Sequence, residues 1–174
     1  MKILIPNPFT ESHRVRELSE ISHQYLNRKT PRALHSLFDE KASKAFNLLL
    51  LSNGIKGERK NIQRWRKRII PLIMAHKYHF NIPRPYLLAR KHRIPFKHDK
   101  LRTTHSPSYP SGHTAQAHFI SMKLAKKYPS LRKQLHGLAQ MISQSRVDRA
   151  VHFPSDLKGG RLLARAIIRE NLIR

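Results

Sequence analysis

Over most of its length this chain spaces its apolar residues three and four apart, the period of a helix with one buried face. No stretch alternates apolar and polar residues as a half-buried strand would. Thr10 can cap a first helix that carries Val15, Leu18, Ile21 and Leu26 on one face. A second starts with Thr30 as cap and Pro31 in its first turn, and stops at Asn53-Gly54. Between them Leu34, Leu37, Phe38, Ala42, Ala45, Phe46 and Leu49 form its buried stripe. A third runs from about Glu58 to Lys77 with Ile62, Trp65, Ile69, Leu72 and Ile73 inward, and Pro71 is expected to kink it. From Asn81 to Pro110, prolines at 83, 85, 95, 107 and 110 among Arg, Lys and His predict a long irregular segment, and such loops in compact domains are usually functional. Helices resume from Ser111 to Tyr128, from Ser130 to about Arg146, and from Pro154 to near the C-terminus. With no repeat or long linker, the expectation is an all-α fold, a single-domain helical bundle of about six helices spanning 1–174.

The absence of cysteine excludes disulfides, thiolate metal sites and cysteine nucleophiles. The longest apolar runs, Phe46 to Leu51 and Ile69 to Ala75, are interrupted by Asn47 and Pro71, and fall well short of the roughly 20 residues a transmembrane helix needs. The opening MKILIPNPFT lacks the apolar stretch of a secretory signal. These features lead us to expect a cytoplasmic protein, or one peripheral to an anionic membrane. Thirty-five Lys and Arg against ten Asp and Glu give a net charge of +25. A surface of that sign draws anions from a distance, whether phosphorylated small molecules, acidic headgroups or nucleic acid, but does not choose among them.

Three segments concentrate residues suited to chemistry. In the first, Lys77 is followed, after six intervening residues, by Arg84-Pro85. The second reads Pro110-Ser111-Gly112-His113. The third joins Ser145-Arg146 to His152 and Asp156, the last two four residues apart. In order and internal spacing these segments resemble the three-part signature of the type 2 phosphatidic acid phosphatase superfamily, which also contains soluble bacterial acid phosphatases and vanadium haloperoxidases. The match runs from Lys77 to Asp156, and the flanks SYPSGHT and HFPSDLKGGR are similar to the acid-phosphatase branch. The resemblance implies a metal-independent phosphatase acting on phosphomonoesters, with His152 as a nucleophile that becomes a covalent phosphohistidine. It further implies that His113 protonates the leaving alkoxide and later activates water.

The residues are chemically apt for that role. Phosphoryl transfer calls for cations around the equatorial oxygens, an in-line nucleophile and an acid for the leaving oxygen. Lys77, Arg84 and Arg146 supply charge, the arginines as planar forks and the lysine as a point charge. Ser111 and Gly112 stand where a helix begins, so their backbone N–H groups can point at an anion. Asp156 can accept a hydrogen bond from one imidazole nitrogen of His152, fixing the tautomer and leaving the other nitrogen as nucleophile. Scattered carboxylates offer no two-metal site, so no metal and no cofactor is expected. Vanadate is expected to inhibit, and would be a cofactor only under a haloperoxidase reading.

A phosphorylated small molecule is the expected partner. The alternatives are a peripheral phosphatase of lipid phosphates or diphosphates, a vanadium-dependent haloperoxidase, and a basic nucleic-acid-binding protein with a secondary phosphatase site. Non-specific contact with an anionic membrane or nucleic acid fits the charge. The remaining singular features read as structural. His76 and His79 flank Lys77 without a third ligand at a metal's spacing. Trp65, inside the basic run from Arg64 to Arg68, falls in the apolar stripe. Gly159-Gly160 suggests close helix packing, and Asp148 and Arg149 suggest a local ion pair.

Overall fold

A computed structural model places residues 2–7, 9–28 and 32–173. Seven α-helices and one 3-10 turn account for the regular structure, and no strand occurs among the described residues. The first helix, α1, spans Glu11–Leu26, and the Thr10 hydroxyl accepts from the His13 N–H as its cap. Helix α2 spans Arg32–Ser52 and gives way to Gly54, whose φ of 76° a side chain would resist. The Thr30 and Pro31 start signals lie outside the described residues. Helix α3 spans Arg59–Phe80 and continues through Pro71. It ends at Asn81 in the left-handed conformation, whose N–H closes on the Lys77 carbonyl.

The segment expected to be irregular throughout contains a two-turn helix, α4, over Pro85–Lys91. Proline at its first position suits a helix start, and Leu88 and Ala89 are buried, so packing sustains a helix too short to show a period. Helix α5 spans Gly112–Lys127 with Ser111 as its cap. The 3-10 turn Pro129–Leu131 leads into α6, Arg132–Asp148, and α7 covers Pro154–Arg169.

Helix α5 is the centre of the bundle, packed chiefly on α6 and α7 and also touching α3 and α2. Its Ala115, Ala117, Phe119, Ile120 and Leu124 are buried in the main core with Phe38 and Phe46 of α2, Ile69 and Ile73 of α3, and Leu163 and Ile167 of α7. Trp65 belongs to this core, with the Lys123 ammonium over its ring. A second, smaller core joins Leu18 and Ile21 of α1, Leu88 and Ala89 of α4, and Val147, Ala150, Phe153 and Leu157 around the α6–α7 junction. Leu26 departs from its expected place in the α1 stripe: it is 69 % exposed on the final turn, beyond the reach of this core. Buried Arg14 and Glu17 share the inward face instead.

Gly159 and Gly160 let α7 press against the turn that precedes α5. A Cβ on Gly159 would lie 2.3 Å from the Tyr109 ring, and one on Gly160 would lie 2.7 Å from the Ser111 carbonyl oxygen. Close packing is thus the reason for both glycines.

Candidate active site

Two helix ends and two loops converge on one cavity of about 240 Å3. Lys77 comes from the last turn of α3, Arg84 caps α4, Gly112 and His113 open α5, and His152 sits just before α7. All five line the cavity. The chain reverses at Asn81 after α3, which brings Arg84 back toward Lys77. Ala150, with φ of 54°, turns the α6–α7 junction so that Val151 N–H reaches the Arg146 carbonyl and His152 faces inward.

His152 and Asp156 are buried, at 2 % and 0 % exposed. His152 Nδ1 lies 2.9 Å from Asp156 Oδ2, and a carboxylate can only accept, so Nδ1 carries the proton. That leaves the Nε2 lone pair on the cavity side, where it accepts from Arg84 Nη1 at 2.8 Å. Burial, followed by the charge of Arg84, pushes the His152 imidazole well below its ordinary value despite the opposing pull of Asp156. Burial would raise the Asp156 carboxyl, but the hydrogen bond and charge of His152, the charge of Arg14 and the Ser108 hydroxyl outweigh it and hold the group far down. The pair is therefore a neutral imidazole on a firmly ionised carboxylate.

The cations are anchored before any ligand arrives. Lys77 Nζ donates to the carbonyls of Pro107 and Ser108, and Arg84 donates to the Ser106 carbonyl through Nε and to the Val151 carbonyl through Nη1. A long contact of 3.4 Å joins Arg84 Nη2 to the Ser106 hydroxyl, and together these bonds satisfy a loop with little regular structure of its own while leaving one Lys77 N–H and the second Arg84 Nη2 N–H for a ligand. Burial, and then the neighbouring Arg84 charge, push the Lys77 ammonium well below its usual range, with Arg146 adding to the effect and Asp156 opposing it. Arg146, at the end of α6, is fully buried. An anion in the cavity would offset the repulsion among these cations.

Ser111 differs from its expected part. Its N–H donates to the Asp156 carbonyl at 3.0 Å and its hydroxyl caps α5 by accepting from the Thr114 N–H. Its backbone donor is thus committed to α7, while Gly112 and His113, in the first turn of α5, line the cavity. His76 is a buried packing residue whose Nδ1 donates to the Leu72 carbonyl and whose Nε2 accepts from Leu4 N–H. Among the described residues no three His, Asp or Glu side chains gather as metal ligands. Arg149 donates from Nε to Asp99 Oδ2 at 2.8 Å across 50 residues, and the Asp148 carboxylate accepts from Gln144.

Sequence reasoning passed over the support behind the dyad. Arg14, 2 % exposed, donates from Nη1 to Asp156 Oδ1 at 2.9 Å and to the Ser155 hydroxyl, while its Nη2 reaches Asn7. Its guanidinium lies within 6 Å of the ring centres of Phe9, Tyr109 and Phe153. Ser108 donates to Asp156 Oδ2, which also accepts from Phe153 N–H at 3.0 Å. Glu17 binds both the N–H and the hydroxyl of Ser155. One signal was available: Arg14 and Glu17 fall on the α1 face that carries Leu18 and Ile21.

Comparison with known proteins follows the same residues. Residues 67–170 match the PAP2 superfamily model. Among solved structures, the chain is similar to the crystal structure of the first transmembrane PAP2 type phosphatidylglycerolphosphate phosphatase from Bacillus subtilis, with a TM-score of 0.58 and 20 % identity over 95 % of this chain and 89 % of that one. At that identity the likeness shows a shared fold. No curated protein matches the chain. No helix among the described residues is long and apolar enough to cross a membrane.

Proposed function

The chain belongs to the PAP2 superfamily, and from that membership and the geometry of the cavity we propose that it is a metal-independent phosphatase that cleaves phosphomonoesters through a phosphohistidine. The observation that carries the proposal is the enclosed His152–Asp156 pair, with Nδ1 tied to the carboxylate and Nε2 facing a cavity that holds Lys77, Arg84 and His113.

The substrate phosphate enters against Lys77, the Arg84 Nη2 edge and the N–H groups that open α5. Arg84 Nη1 moves from His152 Nε2 to a phosphate oxygen, which frees the lone pair in the act of binding the anion. Nε2 attacks phosphorus, the bond to the ester oxygen breaks, and the departing alkoxide takes a proton from His113. The ring, now bonded to phosphorus and still carrying its Nδ1 proton, is cationic, and Asp156 balances that charge. His113 then removes a proton from water as it attacks the phosphohistidine, releasing phosphate and restoring His152. The depressed His152 value keeps Nε2 unprotonated below pH 6.5, so the reaction tolerates mildly acid solution. Orthovanadate, five-coordinate among the same cations, should inhibit.

The test uses labelled phosphate esters in excess chelator, with acid-quenched enzyme analysed for a base-stable, acid-labile phosphoramidate. His152→Ala should abolish label and turnover. His113→Ala should still take label from an aryl phosphate with a good leaving group while scarcely cleaving an alkyl phosphate. Label that persists in His152→Ala and vanishes in His113→Ala overturns the assignment, and activity lost in chelator and restored by magnesium overturns metal independence.

A further inference from the structure

The basic run at Arg64 to Arg68 lies outside the chemistry above, yet one of its members reaches the cavity. Arg66, half-buried on α3, lines the catalytic cavity and also a larger groove of about 580 Å3 between α2 and α3. The groove carries Lys44, Arg59 and Lys67 besides Arg66, and no carboxylate lines it among the described residues. None of these four side chains makes a hydrogen bond or ion pair with a described residue, whereas Lys77 and Arg84 are each held by carbonyls. Four cations around one concave space, with no carboxylate partner among the described residues, repel one another and favour an anionic occupant.

The two spaces are joined along one helix face. Arg66, Ile70, Ile73 and Lys77 follow one another at intervals of four, three and four on α3, and all four line the catalytic cavity. Eleven residues separate the terminal cations, a rise of about 16 Å along the axis. The stripe therefore begins at the phosphate end with Lys77, crosses an apolar wall and arrives at a second cation that opens onto a basic groove.

We propose that this groove receives a second phosphate-class anion, presented together with the scissile phosphate and separated from it by an apolar segment, with Arg66 as the residue that reads it. The proposal rests on the phosphatase reading for the identity of the first anion. The second anion is carried by the same molecule in a bis-anionic substrate, or by a neighbouring headgroup when the substrate lies in an anionic surface.

Two probes separate these sources, and both are read by binding, so the outcome does not depend on turnover. In the first, calorimetry compares alkane-α,ω-bisphosphonates of graded length with alkylphosphonates of equal length. In the second, a short-chain phosphonate amphiphile is presented in neutral vesicles and in vesicles with anionic lipid. The wild-type chain should bind the bis-anionic form, or the amphiphile among anionic lipids, roughly 10- to 100-fold more tightly than the single anion. Arg66→Gln should remove most of that gain, the double variant Lys44→Gln/Arg59→Gln should reduce it, and Arg66→Lys should restore part. A gain confined to bisphosphonates assigns the second anion to the substrate, and a gain confined to anionic vesicles assigns it to a neighbouring headgroup; either supports the proposal. Equal affinity for single and paired anions in the wild type, or a gain that survives both glutamine variants, overturns it. Aryl phosphate turnover, followed in parallel, tests the phosphatase reading separately: an Arg66-dependent gain in an enzyme without turnover leaves the groove standing and removes the reaction.

Discussion

Replacing Arg14 with methionine keeps a long, flexible side chain in place while deleting the charge behind the dyad. Asp156 is 0 % exposed, and its two oxygens divide their partners: Oδ2 accepts from His152, Ser108 and Phe153 N–H, while Arg14 alone among the described residues donates to Oδ1. The substitution leaves an ionised carboxylate buried with half its acceptor capacity unmet. Breaking a buried pair in this way costs about 3–5 kcal/mol, since the desolvation already incurred is no longer offset. Unfolding entropy near 2.1 cal/mol/K per residue gives about 0.37 kcal/mol/K for 174 residues, so Tm should fall by about 8–14 °C. Urea unfolding should show a lower midpoint with an unchanged slope, because the surface exposed on unfolding stays the same. A double-mutant cycle isolates the pair: Asp156→Asn removes the charge that Arg14 answers, and the double variant should be more stable than the two single losses imply by about 2 kcal/mol. An Arg14→Met protein within about 1 kcal/mol of the wild type, or strictly additive losses, would show that the Arg14–Asp156 contact does not hold the site together.

Two further outcomes probe the framework. Gly160→Ala should lower Tm, because a Cβ 2.7 Å from the Ser111 carbonyl oxygen forces α7 from α5 at a cost of about 1–3 kcal/mol or more, outweighing the gain of about 1 kcal/mol from alanine in a helix; a raised Tm would show the contact to be loose. His118, held down to about 4 by burial first and then by Arg161, His136 and Arg165, takes up its proton in the unfolded chain near 6.5 and in the folded chain only near 4. Its share of stability is complete above pH 6.5 and is lost as pH falls from 6.5 to 4, by up to roughly 3 kcal/mol. Urea unfolding of His118→Gln at pH 7, 5 and 4 should therefore show a shallower acid decline than the wild type, and equal slopes would refute this.

The helical class and the chemistry on offer follow from local order along the chain. Apolar residues at intervals of three and four can be buried together only on a helix, so the α2, α3 and α5 to α7 stretches were legible within a few residues of their ends. Lys77, Arg84, Gly112, His113 and His152 announced themselves because their spacing within short segments is local, and the fold brings all five to one cavity. The pairing of His152 with Asp156 was legible for the same reason, as four residues make one helical turn.

The remaining features depend on partners distant in the chain. Arg14 meets Asp156 across 142 residues, and Arg149 meets Asp99 across 50. A lone charge in a sequence carries no mark of the group it will face. Helix α4 was missed because its seven residues are too short for a period and are stabilised by burial of Leu88 and Ala89. Ser111 stands where the sequence places the start of α5, but the approach of α7, allowed by Gly160, commits its N–H to the Asp156 carbonyl. Periodicity reports which face of a helix is buried; which residue of another helix it is buried against is settled when the helices pack.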